Sequence, residues 1–377
     1  MIDIGTTPRT ITIRGRLVLE EGVAPGRIEL EAGRIASVIL EPGGQDGPFV
    51  SPGFVDIHVH GWGGHDAMGD DRELEAMARA LLARGVTGFL PTAMTSSHRQ
   101  LVAFADRMRR WQGDASAEGA EPLGFNIEGP CISPVKRGAQ NPAHIQAPAA
   151  YDEAALVPLL DGLRIMTVAP ELPGAIELIE RLTASGVVVA LGHSNATTDE
   201  AAAGYLAGAR STTHLFNAMS GADHHAPGLA VTALTTDSAA VELIADGLHV
   251  DPALWPMVLR AKPADRVILV SDAIRLAGAG DGRFSLAGVE VEVRDMACRV
   301  VSDGRLAGSV NGLDMAVRNL VHHGIPLPVA VGAATRNPLD LLGIRDRGRL
   351  AVGQCADLVV LDDDLRVQGV MRSGRWI

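Results

Sequence analysis

Seven residues of the chain combine metal-binding or proton-transfer chemistry with a recurring position: His58, His60, Glu128, His193, His214, His249 and Asp272. Each falls at the C-terminal end of an apolar run. In "FVDIHVHG", His58 and His60 flank one valine, and residues two apart on a strand face the same way. Neutral imidazoles with carboxylate oxygens suit Zn²⁺, Fe²⁺ or Mn²⁺ rather than a soft cation. A divalent ion is therefore expected, zinc first, as one ion or as two bridged by Glu128. Such a centre lowers the pKa of water to about 7. Asp272, in "LVSDA", is placed to take a proton from that water. It would serve equally as a ligand, and the sequence leaves both roles open. The chemistry is hydrolysis at a carbonyl or phosphoryl centre.

The elements that must position these residues follow from periodicity. "FVDIHVHG", "GFLPTAMT", "PLGFNIEGP", "LRIMTVAP", "VVVALGHSNA", "STTHLFNA", "VELIADGLHV" and "DRVILVSDA" are eight strand-like runs. Helical patterns alternate with them, such as "RELEAMARALLARG", with Leu74, Met77, Leu81 and Leu82 on one face. A Thr197-x-x-Glu200 capping box opens another. Eight such units predict a (β/α)8 TIM-like barrel, whose strand C-termini converge on the active-site face. By this reading His249 ends the seventh strand. Both chain ends carry period-two patterns and little apolar surface, predicting one small β-sandwich domain from 1–50 plus 345–377 around a 51–344 barrel.

With 45 acidic against 33 basic residues the net charge is −12, which argues against nucleic-acid or anionic-membrane binding. Cys131, Cys298 and Cys355 form no CxxC pair, and Cys131 reads as packing. No apolar run has the length of a membrane span, and a soluble cytoplasmic protein is expected.

The motifs "HVHGWGG", "IEGPCISPVKRGAQNP", "LGHSNAT", "THLFNAM", "IADGLHV", "VSDA" and "LAGS" resemble the N-acetylhexosamine-6-phosphate deacetylases of the amidohydrolase superfamily, over nearly the whole chain. The resemblance implies that Glu128, His193 and His214 hold the principal metal. It makes Asp272 the base and then the acid, and His249 the hydrogen-bond donor to the acetyl carbonyl. His58 and His60 would hold a second ion. Ala139, Gln140, Asn217, Ala218, Gly247, Leu248, His249 and the Leu306–Ala307–Gly308 turn would contact substrate. His225 would do so from the partner in a homodimer.

The chain also departs from this family. Relatives acting on 6-phosphosugars carry a His after "KGA" and an Arg before the Pro-Gly that follows "NAM"; here Gln140 and His225 stand there. Neither matches an arginine's bidentate charge, although His224, Lys136 or Arg137 offers a replacement. Two substrates follow: the 6-phosphorylated N-acetylhexosamine of the family, or an unphosphorylated N-acetyl sugar or other small N-acylated amine. Amidohydrolases bridged by a carbamylated lysine are disfavoured, because no Lys ends the fourth strand. A non-catalytic barrel would have no use for Asp272 beside a full ligand set.

Overall fold

A computed structural model describes residues 11–43, 47–286, 289–302 and 304–377. The first ten residues of the expected 1–50 segment, and 44–46 within it, lie outside the described residues.

The eight apolar runs form a parallel barrel. Its strands are Phe54–Val59, Val86–Ala93, Phe125–Ile127, Leu163–Val168, Val188–Leu191, Ser211–Thr212, Val241–Leu243 and Val267–Leu269. The first six hydrogen-bond in chain order and the last two pair with each other. Leu215 N–H donates to Glu242 O at 2.8 Å, joining the sixth strand to the seventh. Asp272 N–H to His58 O at 2.9 Å and His60 N–H to Ala273 O at 2.8 Å close the eighth onto the first. The closure therefore runs through three of the expected site residues.

Between strands lie amphipathic helices. On Asp71–Leu82, capped by Asp70, the buried face is Leu74, Met77, Ala78, Leu81 and Leu82, the i, i+3, i+4 pattern of a helix lying on a sheet. The expected capping box is present: Thr197 Oγ1 accepts from Glu200 N–H, and Glu200 accepts from Thr197 N–H at 2.8 Å. It ties the loop carrying His193 to the helix Thr198–Leu206.

Strands from both chain ends share one sheet, in the order Arg375–Trp376, Val367–Arg372, Leu358–Leu361, Phe49–Pro52, Ile11–Val18, Val23–Glu31, Arg34–Leu40. Its own core includes Leu17, Ile28, Leu30, Val50, Leu358 and Met371. Phe49–Pro52 passes through Gly53 directly into the first barrel strand. A Cβ at Gly53 would lie 2.2 Å from Thr87 Oγ1, so only glycine lets sheet and barrel approach so closely.

Two local expectations are corrected. His249 does not end the seventh strand, which stops at Leu243; it lies six residues further on, in the loop before the short 3₁₀ turn Pro252–Leu254. Leu306–Gly308 is not a turn but part of the strand Leu306–Ser309, the last of a four-stranded antiparallel sheet inserted after the eighth barrel strand. Ser309 N–H donates to Asp272 O at 3.0 Å, so this insert is hydrogen-bonded to the site. Alternating charge and valine in "VEVEVR" is the pattern of a strand with one face buried, at Val291 and Val293, and the other turned to solvent, which helix–strand alternation alone does not reveal.

Candidate metal centre and catalytic pocket

The strand C-termini bring the ligand candidates together in two groups, His58 with His60 and Asp272, and Glu128 with His193 and His214. Glu128 joins them. Its Oε1 lies 2.9 Å from His193 Nε2, 2.8 Å from His214 Nε2 and 3.5 Å from His58 Nε2, while Oε2 is 3.2 Å from His60 Nε2. Asp272 Oδ1 lies 3.3 Å from His60 Nε2 and 3.6 Å from His58 Nε2. All four rings are nearly or wholly excluded from solvent.

The tautomers explain why this set fits a cation. His193 Nδ1 lies 2.9 Å from Lys136 O and His60 Nδ1 3.1 Å from Thr92 O. His58 Nδ1 lies 2.9 Å from Glu242 Oε2. Carbonyls and carboxylates only accept, so each of these Nδ1 atoms carries the proton and, in a neutral ring, leaves Nε2 as a lone pair. The lone pairs of His58 and His60 Nε2 then face one another 3.3 Å apart, and His214, whose Nδ1 has no partner among the described residues, places its Nε2 3.1 Å from that of His193. Positive charge between them resolves the conflict, and a divalent ion supplies it with the donor types that zinc, iron or manganese prefers.

Protonation responds to the same demand. Burial opposes charge on His60, but Asp272 and Glu128 outweigh it and push its pKa up to about 9. His58, equally buried, is raised well above the ordinary imidazole value by Glu242 and Glu128. Burial would raise Glu128, yet His193 and His58 hold it well below the usual carboxylate range. Asp272 is likewise lowered against its burial, by its hydrogen bond to His60 and the charge of His58.

Backbone geometry shows what positioning these groups requires. His193, His214 and Asp272 have φ of 47°, 26° and 47°, in the left-handed region that non-glycine residues avoid, at roughly 1–3 kcal/mol each. Gly308 stands against Asp272 with φ 71°, and a Cβ there would meet Ile274 Cγ2 at 2.5 Å.

A pocket opens above the ligands, lined by His60, Glu128, His193, His214, Asp272 and His249, by Ala139, Gln140, Asn217 and Ala218, and by Leu306, Ala307 and Gly308. His58 lies behind it. Met94, Gly138 and Ile274 also line it, and the sequence reading missed them because none carries a reactive group. His249 Nδ1 lies 2.7 Å from Asp246 Oδ2, which fixes the ring; the lowered pKa of Asp246, despite burial, reflects this bond.

Other expected residues are placed differently. Gly247 and Leu248 do not line the pocket, and Leu248 is partly exposed. His225 sits on an exposed loop beside His224, ring centroids 4.0 Å apart, outside the pocket of this single chain. Gln140 is buried with both ends of its amide engaged: Nε2 donates to Glu128 Oε2, and Oε1 accepts from Thr95 N–H at 2.8 Å. Lys136 contributes its carbonyl to His193, and neither it nor Arg137 lines the pocket. Cys131 is buried and in neither ligand group; burial pushes its thiol up to about 12.

The amidohydrolase family profile matches residues 49–377. The chain is 37% identical to human N-acetylglucosamine-6-phosphate deacetylase over 97% of its length and 90% of the relative's. It is 35% identical to N-acetylgalactosamine-6-phosphate deacetylase of Escherichia coli O157:H7, over 96% and 97%. Among solved structures, the Thermotoga maritima N-acetylglucosamine-6-phosphate deacetylase superposes with TM-score 0.90 at 32% identity, covering 97% of this chain and 99% of that one. A Mycobacterium smegmatis enzyme variant in complex with N-acetyl-D-glucosamine-6-phosphate gives the same values.

Proposed function

The chain belongs to the amidohydrolase family, and from that premise we propose that it hydrolyses the N-acetyl amide of a hexosamine 6-phosphate, giving the amine and acetate. The observation that carries this reading is the placement of Glu128 between two ligand groups, with Asp272 beside them in an open pocket. Relatives named for gluco and galacto 6-phosphates share that amide chemistry. The unphosphorylated alternative is not favoured, because both relatives are named for phosphosugars.

In this reading Glu128, His193 and His214 hold the principal ion, and His58, His60 and Asp272 a second. An ion bound there, taken as zinc, supplies Lewis acidity for polarising a carbonyl and acidifying water. Asp272 accepts the proton of the attacking water as the O–C bond forms. It returns that proton to the sugar nitrogen as the C–N bond breaks, which frees the amine and leaves acetate. His249, oriented by Asp246, hydrogen-bonds the acetyl oxygen as charge develops on it, a contribution of roughly 3 kcal/mol in comparable sites. Ala139, Asn217, Ala218 and the Leu306–Gly308 edge form the sugar wall, with Gln140 holding Glu128 behind it. His225 reaches the site only across a homodimer, while Gly247 and Leu248 would contact the substrate from the loop that carries His249. No helix among the described residues is long and apolar enough to cross a membrane, which accords with work in the cytoplasm.

The test is kcat/KM for acetate release by zinc-reconstituted protein from N-acetylglucosamine 6-phosphate, its galacto epimer and the two free sugars. The phosphosugars should exceed the free sugars by roughly 10-fold or more, the value of one charge-assisted contact. No release from either phosphosugar would sink the reading.

A further inference from the structure

Glu242 lies in the middle of the seventh barrel strand, between buried Val241 and Leu243, and is itself fully buried. An unpaired carboxylate in such a place costs several kcal/mol, and an apolar residue would pack the strand as well. Its contacts show what it does there. Oε2 accepts from His58 Nδ1–H at 2.9 Å and from the backbone N–H of His214 at 3.1 Å. Oε1 is buried with no hydrogen-bond partner among the described residues.

The four rings of the two ligand groups are supported differently. His60 and His193 rest on neutral carbonyls, and His214 Nδ1 is buried with no hydrogen-bond partner among the described residues. Only His58 has a carboxylate behind it. A carboxylate at Nδ1 fixes the tautomer, directs Nε2 at the ion and makes it a stronger donor. It also adds negative charge next to the place where a second dication must sit beside the first.

We propose that Glu242 is a positioning residue that, through His58, sets the affinity of the His58–His60–Asp272 group for a second divalent ion. Its separate bond to the His214 backbone places it between the two groups. The inference rests on the metal-hydrolase reading of the site and goes beyond it, because it concerns the number of ions held rather than the reaction.

The experiment counts ions on the full-length chain, stripped with chelator and titrated with Zn²⁺, using elemental analysis for stoichiometry and competition with a chromophoric chelator for each affinity. Wild type should bind two ions per chain. In Glu242→Gln the weaker ion should lose about 10–100-fold in affinity while the tighter one changes by less than about threefold. Cobalt substitution should show absorption of the second-bound ion displaced and that of the first retained. Glu242→Ala should weaken the second ion at least as much; if it does not fold, the isosteric glutamine variant decides alone. A wild type that binds a single ion, unchanged affinities in Glu242→Gln, or equal loss at both ions would each overturn the proposal. Failure of the deacetylase reading looks different: no acetate is released by wild type carrying both ions.

Discussion

Glu128, His193 and His214 meet from three separate strand ends, whereas His58 and His60 stand on one strand and are completed by Asp272 from its neighbour. The first group uses the left-handed backbone of His193 and His214 to aim its ligands. The second has ordinary strand geometry for its two histidines, in the two-residue repeat, and relies on what lies behind the rings. In the first group loop backbone aims both histidines, whereas in the second only Asp272 has such a backbone. The second is preorganised by hydrogen bonds to Thr92 O and Glu242. A group fixed by backbone should bind its ion tightly and lose everything when one ligand goes. A group fixed by outer hydrogen bonds should be tunable.

His193→Ala tests the first group and should have the largest effect. It removes a ligand whose neighbours cannot close over the gap, and kcat/KM should fall by roughly 10³-fold or more, the several kcal/mol a Lewis acid contributes. Metal content should fall with it. A variant that keeps both ions and most of its activity would erase the distinction between the groups.

Asp272 belongs to the second group geometrically but is proposed to move the proton. Asp272→Asn should therefore reduce kcat by on the order of 10²–10⁴-fold, the range for a general acid–base residue, with the first ion retained. His60→Ala, in the same group, should cost only about 10–100-fold, comparable to loss of a supporting partner. Equal losses in the two variants would make Asp272 a ligand and nothing more, which the sequence alone leaves open.

The difference between the groups also decides what was legible before the structure. The barrel and the ligand positions could be read because each ligand ends an apolar run, and the strand ends of a barrel converge. His58 and His60 were the clearest, since a strand's two-residue period places them together. Glu242 and Asp56 were missed. They are carboxylates inside strands, Asp56 with its pKa raised to about 6 by burial, and only the pairing of charged groups with site ligands gives them away. Glu in the apolar run "VELIAD" was the available signal, since a buried charge needs a partner. The strands Ser211–Thr212 and Val241–Leu243 are short, so His249 was placed at a strand end it does not occupy. The engaged amide of Gln140 was not readable at all, because its partners, Thr95 and Glu128, come from other strand ends.

The last expected effect concerns pH and stability rather than rate, and its sign distinguishes protons from metal in the centre. In metal-free protein, Asp272 and Glu128 raise His60 from 6.5 to about 9 against its burial, and His58 and His214 are raised in the same sense. A histidine whose pKa is higher folded than unfolded stabilises fully below its unfolded pKa and loses that contribution as pH rises through the folded one. For His60 this is a loss of roughly 3 kcal/mol between pH 6.5 and 9, at 1.36 kcal/mol per pKa unit. The Tm of the stripped protein should fall over that window. With ions bound the rings are neutral ligands and protons are competitors, so the loaded protein should hold its Tm or gain stability over the same range. Thermal melts of stripped and zinc-loaded protein at pH 6, 7.5 and 9 should therefore diverge with rising pH. Parallel curves would mean that the buried imidazoles are neutral without metal, and the lone-pair conflict between His58 and His60 would then be relieved by a shift of the rings rather than by positive charge.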